Sequence, residues 1–264
     1  MRLRIKILSS LAALALAGAA SATTTWTLSP GSVTAGSGTS QATAALTGWA
    51  NTGGSGNTLL QTQTLSPYGG GLGMTNSDVS TTPGDPNENT APEHAVDNND
   101  RVEMIALNFG AKKVNLSSLS IGYVGNQEFG YSTTYNGNYT VMAYTGSGTP
   151  TLLNNSWNLL GSSWQTVSTS NTTTGSKSTG ISNSTYSSYW LIGAYNYLLG
   201  SATASAPTIS SAIKLASVTG CVQGDVTSTG CTIVRPSSVP EPGSMALIGL
   251  ALLGMISMRR RRQA

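Results

Sequence analysis

The chain has 264 residues, 39% of them hydrophobic but only 9% charged, with 31 glycines and a formal net charge of +3. A charged fraction so far under the roughly 25% of ordinary globular proteins, with Ser, Thr and Asn abundant, points to β-structure and polar turns rather than amphipathic helices. The positive charge sits at the ends, in Arg2, Arg4 and Lys6 and in Arg259 to Arg262; between them ten acidic residues outnumber six basic ones, a net of −4, which removes the electrostatic argument for a nucleic-acid partner.

At the start, the three basic residues precede an apolar run from Ile7 to Ala19, and Ala20-Ser21-Ala22 supplies a small-residue cleavage box. Residues 1–22 are expected to be a signal peptide cut after Ala22, with Ala20 and Ala22 as the recognised positions. The exported body, residues 23–238, is long enough for one all-β domain.

Within the body, Thr25 to Leu28 alternates as a possible edge strand, Gly53 to Asn57 reads as a turn, and Thr58 to Thr62 as a short strand. Tyr68-Gly-Gly-Gly-Leu-Gly-Met lacks the helix and lysine that a phosphate loop needs, so its glycines predict a tight turn with positive φ. Thr81 to Asn99 is the most polar stretch, and Pro83, Pro86 and Pro92 keep it out of regular helix. It leads into Arg101 to Phe109, where Val102, Met104 and Ala106 alternate with Glu103, Ile105, Leu107 and Phe109 as the two faces of a strand. Further strands are expected at Ser118 to Tyr123, Tyr139 to Tyr144, Trp157 to Trp164, Tyr189 to Leu198 and Ser211 to Val218, with a Ser/Thr/Asn loop over 168–185. Many short strands with polar turns predict an all-β fold, a single sandwich or jelly-roll-like domain.

Three chemistries are weighed against this scaffold. Catalysis would have to use His94, the only imidazole, with Asp97 nearby; no Gly-x-Ser-x-Gly elbow accompanies them, and the chain is expected not to be an enzyme and to need no cofactor. Calcium binding would draw on Asp85, Asn87, Glu88, Asp97, Asn98 and Asp100, which offer the right oxygen types without EF-hand spacing. Asp and Asn also cap turns, so calcium, with Asp85, Asp97, Asn98 and Asp100 as its weak candidates, stays an alternative, as does glycan stacking on exposed Trp or Tyr. Cys221 and Cys231 are expected to form a disulfide in an oxidising envelope, two free thiols being the alternative.

At the end of the chain, Pro240-Glu241-Pro242 precedes an uncharged apolar run over 243–258 and then Arg259, Arg260, Arg261 and Arg262. A helix of that length is about 24 Å long, a short transmembrane helix against a hydrocarbon core of ~30 Å. Under the positive-inside rule the arginines stay cytoplasmic, which puts everything before Pro240 outside.

These parts, in this order over residues 239–264, resemble the PEP-CTERM sorting signal of Gram-negative envelope proteins. The resemblance implies recognition by an exosortase, a membrane protease that removes the helix near Pro-Glu-Pro and releases the protein to the surface or an extracellular matrix. A permanent single-pass anchor is the alternative. Across residues 45–222, Tyr68-Gly-Gly-Gly-Leu-Gly-Met, His94-Ala-Val-Asp-Asn98, Tyr189-Trp-Leu-Ile-Gly-Ala and Ala212-Ile-Lys-Leu-Ala-Ser-Val also resemble a family of exosortase-dependent surface proteins, which brings no catalytic residues with it. The expectation is an exported, exosortase-processed surface or biofilm-matrix protein without catalytic activity, held transiently in the inner membrane by its C-terminal helix and with exopolysaccharide as a possible partner. The alternative is a calcium- or glycan-binding module at the same surface.

Overall fold

In the computed structural model, the described residues are 23–77, 94–125, 135–170, 177–201 and 204–224. The chain divides into two units, Met1–Thr232, which holds every described residue, and Ile233–Ala264, which lies outside them. The signal peptide with Ala20 and Ala22, Asp85, Cys231 and the whole sorting tail with Pro240, Glu241, Pro242 and Arg259 to Arg262 fall outside the described residues.

The described part is all-β. Thirteen strands join in one antiparallel sheet that curls into two halves, as the low charge and short alternating runs predict. One half runs β10 (Trp164–Ser170), β9 (Tyr139–Tyr144), β12 (Tyr189–Ala194), β7 (Glu103–Asn108), β3 (Ala42–Gly53), with β2 (Ser32–Ala35) also on β3. The other runs β5 (Gly71–Thr75), β13 (Ala212–Val222), β8 (Val114–Val124), β11 (Lys177–Gly180). The two halves are joined by β4 (Leu59–Tyr68), whose first part pairs with β3 from Leu59 to Gln63 and whose second part pairs with β5 from Thr64 to Tyr68.

Strand β13 organises its half. One edge pairs with β8 from Ile213 to Val222. The opposite edge is taken in turn by β6 (Val96–Asp97), by β5 at Leu215 and by β1 (Thr24–Thr27).

The main core lies between the two halves. Ile105, Val141 and Ile192 from one half meet Leu116, Ile121 and Leu215 from the other, all fully buried. Alternation along each strand makes this possible, since every second side chain faces inward. Trp26 bridges the layers: its indole N–H donates to the Ala42 carbonyl at 2.8 Å and its ring meets Phe109 edge-on at 5.1 Å.

The opposite faces of β7, β9 and β12 are also covered over much of their length. Met104, Met142 and Leu191 point there and are covered by Leu152, Trp157 and Leu160. This corrects the expected strand over Trp157 to Trp164. Trp157–Leu159 is a 3-10 turn whose Trp157 indole donates to the Val102 carbonyl at 3.0 Å, and strand geometry begins only at Trp164. The apolar run there is a lid over a sheet face, so it carries no strand period. The expected loop over 168–185 is also corrected, because it holds the end of β10 and all of β11. Their Ser and Thr residues suit strands at the two ends of the sheet order, where among the described residues one ladder edge has no partner strand.

The glycine motif is a hairpin tip, as its composition predicts. It joins β4 to β5, with Gly70 at φ 93° and Gly71 at φ 138°. A Cβ on Gly71 would lie 2.6 Å from the Leu215 carbonyl, and one on Gly122 of β8 would run into the Gly70 carbonyl. Glycine at these positions lets the tip lie directly on β8 and β13.

Candidate functional site

Of the polar stretch Thr81 to Asn99, the described residues 94–99 fold together with Glu103 into a largely buried knot, and Asp85, Asn87 and Glu88 lie outside the described residues. Glu103 opens β7 with no exposure; its Oε1 accepts from Asn76 Nδ2 at 3.0 Å and its Oε2 from the Asp97 backbone N–H at 3.2 Å. Asp97 Oδ1 accepts from the Asn99 N–H at 2.9 Å, which closes a local turn of the kind Asp favours. Asn98, 1% exposed, donates from Nδ2 to the Tyr195 carbonyl at 2.7 Å and accepts the Ser211 N–H on Oδ1 at 2.6 Å. One side chain therefore ties three distant segments. Asp100 is exposed, with its backbone at φ 51°.

Of the weak calcium candidates, then, Asp97 and Asn98 face inward and bond backbone groups, while Asp100 stands apart at the surface. Among the described residues no three His, Cys, Asp or Glu side chains gather where a metal ion would sit. His94 stacks on Tyr68 with ring centroids 4.2 Å apart and 24° between planes. In sequence, Glu103 stands out only as part of one strand face. The signal was present, since Glu103 shares that face with Ile105, Leu107 and Phe109, and a carboxylate there has to be buried and bonded.

A second group is Lys214 in β13. It is 3% exposed and lies between two tyrosines, with Nζ 4.2 Å from the Tyr123 ring centroid and 5.1 Å from that of Tyr68. Tyr68 in turn stacks on His94. Burial pushes the Lys214 amine below its usual range, and the ring faces attract the cation that remains.

A third feature lies around the turn from β7 to β8. Gly110 borders two clefts of about 450 Å³ each, one reaching Lys112 and the other Lys113. The second is walled by Tyr144, Tyr186 and Tyr189. Their rings are held in place: Tyr144 donates to the Ser147 carbonyl at 3.1 Å, Tyr189 shares a hydrogen bond with the Thr149 hydroxyl at 3.2 Å, and the two rings meet edge-on at 6.0 Å. Desolvation raises the Tyr186 hydroxyl above its ordinary pKa. In sequence, Tyr144 and Tyr189 fall in expected strands and Tyr186 falls between a loop and a strand, and nothing in their spacing shows that the three meet.

Cys221 is buried near the end of β13. No helix among the described residues is long and apolar enough to cross a membrane.

No curated protein matches the chain. Residues 238–262 match the PEP-CTERM protein-sorting motif. The match covers Pro240, Glu241 and Pro242, the apolar run and Arg259 to Arg262. The chain therefore carries a PEP-CTERM sorting motif, which marks it as an exported protein targeted to exosortase.

Proposed function

We propose that the exported β-domain is a non-catalytic structural component of the cell surface or extracellular matrix, delivered there by exosortase cleavage near Pro240-Glu241-Pro242. The sorting motif over residues 238–262 carries the delivery part of this reading. It is supported by the use to which the described fold puts Asn98 and Glu103: Asn98 joins three segments, and Glu103 receives an amide and a backbone N–H. His94, the one imidazole, lies face to face with Tyr68.

The intact mass of the native protein tests it. The reading requires a C-terminus close to Pro240 and recovery outside the inner membrane. A protein still ending at Ala264 in wild-type cells refutes exosortase processing. Turnover of a glycan panel, abolished by Glu103→Gln in a protein that still folds, refutes the absence of catalysis.

A further inference from the structure

We propose that the turn between β7 and β8 is a binding site for an acidic polysaccharide, with Lys112 and Lys113 holding carboxylates and the Tyr144, Tyr186 and Tyr189 wall stacking a sugar ring. The proposal deepens the matrix reading above and rests on it.

Charge carries the first step. Between the terminal basic clusters the chain has a net charge of −4, yet two of its six basic residues in that stretch are adjacent here and both exposed. Lys112 reaches only the Thr39 carbonyl, at 3.5 Å, and neither lysine has an ion pair among the described residues. The net negative charge of the body repels an acidic polymer, and this exposed cationic pair attracts it locally. A flexible ammonium is a point charge suited to carboxylates presented at variable angles along a polymer.

Shape carries the second. A pyranose offers a flat, weakly apolar face and a rim of hydroxyls, so its site needs an aromatic ring beside fixed donors and acceptors. The cleft beyond Lys113 has that composition: three tyrosines, the hydroxyls of Ser147 and Ser188, and backbone from the Gly146 and Gly148 turn. A Cβ on Gly146 would sit 2.6 Å from Tyr144 Cζ, so glycine is what lets this turn lie against the ring. The hydrogen bonds of Tyr144 and Tyr189 fix their rings before any ligand arrives, which lowers the ordering cost of binding.

Continuity carries the third. Both clefts include Gly110 in their lining and lie on the two sides of the lysine pair, one bordered by Phe109 and Lys112 and the other by Lys113 and the tyrosines. Two adjoining sites of about 450 Å³ suit successive residues of a chain better than a single monosaccharide. The repeating charge of a uronic acid polymer would meet both lysines at once.

The test uses the full chain purified in mild detergent and affinity electrophoresis through gels holding a polyuronate such as alginate or, in parallel, neutral dextran. Retention by the polyuronate, roughly tenfold weaker in Lys112→Gln/Lys113→Gln and in Tyr186→Ala and falling with salt, is the expected result. Lys113→Arg and Tyr186→Phe, which keep the charge and the ring, should bind like wild type, and unchanged melting temperatures exclude misfolding. Equal retention by dextran and alginate overturns the acidic class. Retention unchanged in both Lys112→Gln/Lys113→Gln and Tyr186→Ala overturns this site while leaving the matrix reading standing. No polyuronate retention by a wild-type protein that is nonetheless found cleaved in the matrix overturns the inference alone, whereas an uncleaved, membrane-held protein overturns the reading beneath it.

Discussion

Asn98→Asp separates a backbone clamp from a calcium ligand, because the two roles respond in opposite ways to the same change. Asn98 is 1% exposed and works as both donor and acceptor, giving Nδ2 to the Tyr195 carbonyl at 2.7 Å and taking the Ser211 N–H at 2.6 Å. An aspartate keeps the acceptor and loses the donor. The Tyr195 carbonyl then forfeits its amide partner at a cost of about 1–3 kcal/mol, and a carboxylate oxygen faces that carbonyl in a buried site. The stronger charge-assisted bond to Ser211 returns part of this, leaving a net loss of about 2–4 kcal/mol. At ~2–4 °C per kcal/mol for a domain of this size, melting falls by roughly 5–15 °C. The penalty also has a pH sign. The new carboxyl is held above its unfolded pKa, so the loss is absent in acid, where the protonated group donates to Tyr195, and grows as pH rises past the usual carboxylate range. Thermal melts of wild type and variant from pH 3.5 to 8, with calcium and with chelator, read all of this. A variant as stable as wild type, or one that calcium stabilises more strongly than it does the wild type, would refute the clamp.

Three further outcomes are expected. Lys214→Met should remove an alkaline stability gain: burial holds the folded amine below its unfolded pKa, so this group adds stability as pH rises between those two values, and the wild-type urea midpoint should gain on the variant's across that window. Gly122→Ala should cost at least about 1–3 kcal/mol by driving a methyl group into the Gly70 carbonyl. Gly69→Ala, which has open space around its Cβ, should stay within roughly 0.5 kcal/mol, and equal urea midpoints for the two would contradict the hairpin packing. Native protein should resist thiol alkylation until reduced, and Cys221→Ser should lose about 2–3 kcal/mol if a Cys221–Cys231 bridge closes its short loop; alkylation of two thiols without reductant would contradict the bridge.

Strands whose inward positions hold large apolar residues were legible in the sequence. Arg101 to Phe109 and Tyr139 to Tyr144 alternate between faces, and the structure puts Ile105 and Leu107 in one core and Met104 and Met142 in another. β3 was not legible, although it is the longest of the described strands, because Ala42, Ala44, Gly48 and Ala50 take most of its buried positions and small residues carry little periodic signal. Trp157 misled for the opposite reason, since large apolar residues in a short run fit a lid as well as a strand. Nor could spacing show that Asn98 meets Ser211, 113 positions away, or that Lys113 faces Tyr186; both depend on strands that pair far from their sequence neighbours. The sorting tail was legible because it acts as a linear signal, read residue by residue.

The pairing of the first strand with the last has a mechanical side. Thr24 lies opposite Gly220, so the two ends of the described fold leave from neighbouring points of one ladder. A pull transmitted along the C-terminal segment enters at Val222, the end of β13, which is hydrogen-bonded to β8 along one edge and to β1 beside it on the other. Drawing β13 out along its own axis would shear both ladders together, and the hydrogen bonds would share the load instead of opening one at a time. Among the described strands, the one that would take such a load is the most heavily paired, with β8 on one edge and β6, β5 and β1 on the other.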